Sequence, residues 1–388
     1  MPQPPHPLRI CLLTDTLGDV NGVSRFIQNV ALQAHQTGRD LCVLTSTQFK
    51  IPNQPNIINF KPIFATKMPR YENLELVLPP APAILRYLRE HRPDVLHIST
   101  PGSVGSVGWW AALRMGIPVL GVYHTDFPAY VDYLFEEPVY TTLCTGHMRF
   151  FYKRFAAIFT RSDDYKRSLM KLGIAEDRIV RLLPGIDTDT FHSRFRDPAI
   201  WQRLGVPAGP KVIYCGRVSV EKNMPLLVKV WKAVHHQRPD AQLIIVGDGP
   251  YRAPMQLELA GMNVHFLGFR HGVELSAIYA SGDLFIFPST TDTLGQVVME
   301  SQSSGLPVIV SDQGGPKEVV QHNRTGLILP ADRPEQWVTA VLGLIQDEPR
   351  RRQWGAAAHN YIQPMSIRHS FDHFWQTHEA VHAQARRG

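Results

Sequence analysis

Short, unbroken apolar runs alternate with amphipathic stretches along most of the chain. The first run, Arg9-Ile10-Cys11-Leu12-Leu13-Thr14-Asp15, has strand length; a loop holding Gly18 and Gly22 follows, then a helical pattern through Phe26, Val30 and Leu32. Similar runs recur at 41–45, 94–98 and 117–123, the last ending at His124. Trp109, Trp110, Ala111, Ala112 and Met115 fit a packed helix before it. Runs of this length without polar alternation predict strands buried on both faces, as in a parallel sheet. Strands alternating with helices then imply right-handed crossover units.

A longer helical region is expected from 130 to 155, running past Pro138 into Met148-Arg149-Phe150-Phe151-Tyr152-Lys153-Arg154-Phe155. Two readings fit it: aromatics packed on the sheet with cations outside, or a basic-aromatic surface that meets a membrane interface. A strand at 157–160, a helix at 163–172 and a strand at 180–183 follow, closing at Pro184-Gly185-Ile186-Asp187. Between 191 and 210, Pro198, Pro207, Gly209 and Pro210 crowd a polar segment, and the pattern restarts beyond it. Runs at 211–215, 242–246, 264–268, 283–287 and 306–311 predict a second parallel sheet, with helices expected at 334–345, 349–361 and 367–384. The expected domains are 1–195, 208–365, and a C-terminal helix at 366–388 that returns to the first domain.

Length supports the same division, since 388 residues exceed one ordinary core. At 44% hydrophobic and 19% charged, the composition is globular. The net charge of +6 suits an anionic ligand or an anionic membrane surface, but it is too diffuse to point to nucleic acid. Cys11, Cys42, Cys144 and Cys215 read as isolated free thiols, without Cys/His pairs of metal-ligand spacing, which suits a reducing compartment. The start lacks the form of a signal peptide, and no apolar run reaches about 18 residues. A cytoplasmic protein is expected.

The candidate chemistry centres on Pro288-Ser289-Thr290-Thr291-Asp292-Thr293-Leu294-Gly295-Gln296-Val297-Val298-Met299-Glu300, a strand-to-helix turn. A helix opening at a Gly-containing loop presents free N–H groups and a positive dipole end, which suits a diphosphate. Glu300 lies five residues past Gly295, roughly 7.5 Å along a helix, about the reach from a phosphate to the hydroxyls of its ribose. A plainer reading has Asp292 capping its helix and Glu300 solvated. Two further loops follow strands of the same sheet. One holds Gly216 and Arg217, with Glu221-Lys222-Asn223 expected to open the following helix, and the other holds Gly247-Asp248-Gly249. Two fixed cations beside a helix N-terminus form a pyrophosphate site, with a carboxylate further along for ribose. The Gly18 and Gly22 loop is not a G-x-G-x-x-G, so a dinucleotide fingerprint is not supported.

Together these motifs resemble the family-4 retaining glycosyltransferases of GT-B fold, over most of the chain. The resemblance rests on Gly216-Arg217 with Glu221-Lys222-Asn223, on Val246-Gly247-Asp248-Gly249-Pro250, and on Pro184-Gly185-Ile186-Asp187 with Phe191. Its strongest element is Pro288-Ser289 followed by the acid–seven residues–acid pattern and Ser304-Gly305-Leu306-Pro307-Val308. It implies an α/β, GT-B architecture of two Rossmann-like doubly wound domains facing a central cleft. Arg217 and Lys222 then match the pair that neutralises the donor diphosphate, and Glu300 the acid that binds ribose. The backbone near Leu294, Gly295, Gln296 and Val297 matches the part that holds phosphate and sugar, with Gly247 in a neighbouring donor loop. Asp292 matches the first acid of the motif, beside the transferred sugar, at a position where Glu is commoner. His124 matches an active-site histidine near that sugar. The loop of Asp19, Asn21 and Gly22 matches one that approaches the diphosphate from the first domain.

The implied reaction transfers a hexose from a UDP- or GDP-linked donor to an acceptor hydroxyl with retention, the leaving phosphate taking the proton. No cofactor or metal is expected, because no acid-x-acid or His/Cys group is read as calling for one and the two cations replace it. His124-Thr125-Asp126-Phe127-Pro128-Ala129-Tyr130 resembles members that glycosylate lipids. With the basic-aromatic region, that favours a membrane lipid or lipid-linked glycan as acceptor and a peripheral location at the inner membrane face. The alternatives are a sugar-nucleotide epimerase of the same fold and a non-catalytic nucleotide-sugar-binding protein.

Overall fold

In the first sheet, β1 (Arg9–Thr14), β2 (Asp40–Thr45) and β3 (Ile57–Asn59) are followed by β4 (Phe64–Met68) and β5 (Tyr71–Leu78), which pair only with each other. Then come β6 (Val95–Ile98), β7 (Val119–Tyr123), β8 (Ala157–Thr160) and β9 (Ile179–Arg181). The spatial order is β3-β2-β1-β6-β7-β8-β9, with every neighbouring pair parallel. These features come from a computed structural model that describes residues 7–18, 22–68, 71–128, 131–132, 137–292 and 294–387. The central strands are almost wholly buried because helices cover both faces, which is why they read as unbroken apolar runs. The β4–β5 hairpin carries exposed Phe64, Leu76 and Leu78, lacks that signature, and was not predicted.

The second sheet holds β10 (Lys211–Cys215), β11 (Gln242–Val246), β12 (Val264–Gly268), β13 (Leu284–Phe287), β14 (Val308–Ser311) and β15 (Gly326–Leu329). Its order is β12-β11-β10-β13-β14-β15, again all parallel. The edge strand β15 is additional to the five expected. Helix Met224–Gln237 shows how the layers lock together. Leu227, Val230, Trp231 and Val234 fall on one face at helical spacing and bury in this core. In each sheet the strand order reverses beside the first strand, between β1 and β6 and between β10 and β13. Loops at the carboxyl ends of strands flanking such a reversal form the natural ligand crevice of doubly wound sheets.

The chain divides into two units, Met1–Leu183 with Ser370–Gly388, and Pro184–His369. The first crossing precedes the expected 195–208 because Ile186 already pairs with Ser366, its N–H donating to Met365 and its carbonyl accepting from Ile367, both at 3.0 Å. The return comes at Ser370 rather than 366. Helix Ile367–Ala385 then buries Phe371, Phe374, Trp375 and Val381 in the first unit's core.

Three local expectations are corrected. The helix of the basic-aromatic region is Pro138–Tyr152, with Pro138 in its first turn, where a missing N–H costs nothing; residues 129–130 and 133–136 lie outside the described residues. Glu221 and Lys222 do not open the helix but lie in a 3₁₀ turn, Val220–Lys222, and left-handed Asn223 separates that turn from the helix beginning at Met224. Cys11 and Cys42 are not isolated. They are register partners on β1 and β2, with their sulfurs 2.9 Å apart.

Candidate functional site

The loops after β10 and β13 flank the strand-order reversal of the second sheet, and side chains tie them together. Lys222 Nζ donates to Asp292 Oδ2 at 2.8 Å, and Thr291 Oγ1 donates to the Glu221 carbonyl at 3.2 Å. Ser289 Oγ also donates to Asp292 Oδ2. The Lys222 and Asp292 side chains are 20% and 26% exposed, so the pair is half-sheltered rather than a surface contact. The main chain of Asp292 is held from the other side, its carbonyl accepting from Gly315 N–H at 2.7 Å. Asp292 therefore does not cap the following helix.

That cap position belongs to Gly295, in left-handed conformation at φ 74°, before helix Gln296–Ser303. No side chain among the described residues caps this end, and Val298 N–H already donates to the Gly295 carbonyl at 2.9 Å, so the dipole and the N–H groups of Gln296 and Val297 are what the helix end presents to an anion. Leu294 and Val297 rest their side chains against the core, which fixes the backbone between them. Five residues beyond Gly295, Glu300 is only 5% exposed, and Tyr279 Oη donates to its Oε2 at 3.3 Å. The reading of Glu300 as solvated is thus overturned. Tyr279 lies on helix Gly272–Ala280, and no motif marked it in the sequence.

Arg217 is 63% exposed, its guanidinium 3.9 Å from Glu221, and its long side chain can swing toward a ligand. The β10 and β11 loops interlock through glycine. Gly247 has φ 123°, and a Cβ there would lie 2.1 Å from the Gly216 carbonyl oxygen. Asp248 pairs with Arg252 at 2.7 Å. Asp187 and Asp189 have acid-x-acid spacing, but Asp187 accepts from Thr190 Oγ1 and from the N–H groups of Asp189 and Thr190 within its own turn.

In the first unit, β7 delivers His124, whose Nε2 is 3.1 Å from Ser99 Oγ and whose ring meets Phe26 edge-on at 5.7 Å. Burial, with Arg161 adding to it, holds the imidazole well below its usual pKa, so it is neutral at pH 7. Gly22 opens helix Gly22–Gln36, with open space where a Cβ would stand. Asp19 and Asn21 lie outside the described residues. Asp15, at the reversal between β1 and β6, escaped notice in the sequence. It accepts from Thr100 Oγ1 and from Val104 N–H, both at 2.7 Å, and so anchors helix Ser103–Met115.

Comparison with known proteins places the chain in a family. Residues 20–190 match the model described as Glycosyltransferase Family 4, and residues 209–347 match Glycosyl transferases group 1. The sulfoquinovosyl transferase SQD2 of Arabidopsis thaliana is 31% identical over 367 residues, covering 91% of this chain and 69% of that one. The chain belongs to glycosyltransferase family 4. A GDP-mannose-dependent alpha-mannosyltransferase of Mycobacterium tuberculosis is 30% identical over 349 residues, covering 88% of this chain and 89% of the relative. The fold is shared with Anabaena HepE, solved in complex with UDP, at TM-score 0.77 and 18% identity, covering 96% of this chain and all of that one. At that identity the likeness establishes the GT-B architecture alone.

This family-4 glycosyltransferase also carries an uncovered apolar stripe. On helix Pro138–Tyr152, Met148, Phe151 and Tyr152 are buried, whereas Val139, Leu143 and Phe150 are exposed at helical spacing. Exposed Trp110 and Leu113 on helix Ser103–Met115, with Arg149, Lys153 and Arg154, belong to the same region. One face of this helix is thus packed on the core and the other is open. No described helix is long and apolar enough to cross a membrane.

Proposed function

We propose that this protein is a retaining hexosyltransferase that moves a sugar from a UDP- or GDP-linked donor to a hydroxyl of a membrane lipid or lipid-linked glycan. The observation that carries the reading is the Lys222–Asp292 pair beside the uncapped helix end at Gly295, with Glu300 buried one turn behind. In this reading the donor diphosphate sits at that helix end, over the backbone of Leu294, Gly295, Gln296 and Val297, in front of the Gly247 turn. Glu300 receives the ribose hydroxyls, with Tyr279 holding one carboxylate oxygen in place. Lys222 and Arg217 meet the charge that grows on the leaving diphosphate, the kind of preorganised stabilisation that contributes most in group transfer. They do so without a metal or other cofactor.

Asp292 keeps Lys222 aimed and faces the sugar. In the first unit, His124 is neutral and so offers a hydrogen bond rather than a charge, and Gly22 opens its own helix; both are assigned to donor binding. The acceptor hydroxyl attacks from the face that the phosphate leaves, and a phosphate oxygen takes its proton. Relatives named for sulfoquinovosyl transfer and for GDP-mannose-dependent mannosyl transfer support a nucleotide-linked hexose donor. The exposed stripe of Val139, Leu143 and Phe150, with Arg149, Lys153 and Arg154 at the carboxyl end of the helix, supports a peripheral seat on an anionic, cytoplasmic membrane face.

The test is a screen of UDP- and GDP-sugars by release of nucleoside diphosphate, with and without lipid extract, followed by the anomeric configuration of the product. Lipid-dependent release and a retained anomer are expected. Donor conversion that needs no acceptor would instead favour an epimerase, and donor binding without turnover would favour a non-catalytic sensor.

A further inference from the structure

Cys11 and Cys42 stand opposite each other in the parallel register of β1 and β2, so both thiols leave the same face of the first sheet. Helix Ala81–His91 covers that face, its Ile84 and Leu88 sharing a core with both cysteines. The helix stops at left-handed Arg92, and His91, its last residue, brings an imidazole to the sulfurs. The two sulfurs and one ring nitrogen lie within 4.8 Å of one another. His91 Nε2 is buried with no regular hydrogen bond among the described residues, so it is open to a ligand. Asp40, the first residue of β2, holds its Oδ1 3.6 Å from His91 Nε2.

We propose that Cys11, Cys42 and His91 bind a divalent cation of the zinc class, with Asp40 completing a tetrahedral set. Two thiolates, an imidazole and a carboxylate are the ligand types such an ion takes. Binding forms two metal–sulfur bonds, one metal–nitrogen bond and one metal–oxygen bond, and releases two thiol protons to solvent with no electron transferred. Metal–sulfur bonds of about 2.3 Å at a tetrahedral angle hold sulfurs about 3.8 Å apart, so the cysteine pair opens slightly as the ion enters. The His91 and Asp40 side chains, 28% and 41% exposed, mark the route in. Arg9 and Asp40 begin their strands, so the cluster lies toward the amino ends of β1 and β2, whereas His124 follows the carboxyl end of β7. The ion is therefore structural, fastening the helix to the sheet, and takes no part in transfer.

The test titrates Co²⁺ into the full-length protein, chelator-treated and reduced, under anaerobic conditions. One equivalent is expected to bind, with sulfur-to-cobalt charge-transfer absorption and intense tetrahedral d–d bands, and Zn²⁺ should displace it. His91→Asn and Asp40→Asn alter partly exposed side chains and should weaken binding at least tenfold with unchanged circular dichroism; Cys42→Ser should lose most of the charge-transfer band. If Cys42→Ser fails to fold, the first two variants carry the test. Absence of the charge-transfer band in fully reduced protein, wild-type cobalt affinity in His91→Asn, or a Cys11–Cys42 disulfide in protein purified without oxidant would each overturn the proposal.

Discussion

Lys222 Nζ lies 2.8 Å from Asp292 Oδ2, joining two loops that are 70 residues apart in sequence but hang from neighbouring strands. Removing the lysine leaves Asp292 with its Ser289 partner, so the fold loses little. Lys222→Ala is expected to slow release of nucleoside diphosphate by about 10²–10³-fold. Its melting temperature should fall by only a few degrees. Arg217→Ala should also slow transfer, with stability changed by less than about 0.5 kcal/mol because the side chain is exposed. Turnover like that of the wild type in either variant sinks the diphosphate assignment.

Glu300→Gln keeps the shape of the buried side chain while removing its charge. It should raise the donor KM by about tenfold, the worth of one charge-assisted hydrogen bond, with little change in melting temperature. Tyr279→Phe should reproduce a smaller part of that loss, since it removes one donor to the same carboxylate. An unchanged KM in Glu300→Gln would falsify the ribose contact.

Glycine substitutions separate constraint from tolerance. Gly247→Ala forces a side chain into φ 123° and onto the Gly216 carbonyl. A cost of about 1–3 kcal/mol from the backbone alone is expected, visible as a lower urea midpoint and weaker donor binding. Gly22→Ala, with open space around it, should leave the midpoint where it is. Equal stability of the two variants would contradict the interlocked β10 and β11 loops.

Acid should loosen the first unit through a buried histidine pair. His97 Nδ1 lies 2.9 Å from His378 Nε2, and burial holds His97 well below its usual pKa and His378 down to about 4. Histidines in the unfolded chain titrate near 6.5, so the unfolded state takes up protons first as pH falls. Stability is complete above about pH 6.5 and drains away toward pH 4, by about 3 kcal/mol from His378 alone. Urea unfolding at pH 7.5, 5.5 and 4.5 measures this. A His378→Gln variant with the same pH slope as the wild type would rule it out.

The exposed stripe makes a surface prediction. Leu143→Asp and Phe150→Asp should each cut co-sedimentation with anionic liposomes several-fold, and raised salt should weaken the binding of the wild type. Binding that is equally negligible at low and high salt would leave the stripe without a membrane role.

Much of the architecture was legible along the chain. Buried parallel strands must be short and apolar throughout, and the turns after them need glycine or capping residues; both requirements are local and leave a mark at Gly216, Gly247 and Gly295. Exposed or edge elements escaped notice for the converse reason. The β4–β5 hairpin and β15 are partly open to solvent, so no uniform apolar run announces them. In the site, Arg217, Lys222, Gly295 and Glu300 stood out because cations, glycines and a spaced acid are chemically marked. Tyr279 did not, since an aromatic in a buried helix looks like any core residue.

By itself the sequence determined two parallel α/β domains, the loops that carry charge, and the family. Tertiary structure alone decided which loops meet. Strand order places β10 beside β13 rather than beside β12, and only that choice turns Asp292 from a helix cap into the partner of Lys222. The same holds for Cys11 and Cys42, which look solitary until β1 and β2 align in register, and for Ile186, whose pairing with Ser366 moves the domain crossing ahead of the proline-rich segment. Local patterns record how deeply each residue is buried. Pairing between distant strands is settled by how whole sheets bury their faces, and no window of neighbouring residues contains that information.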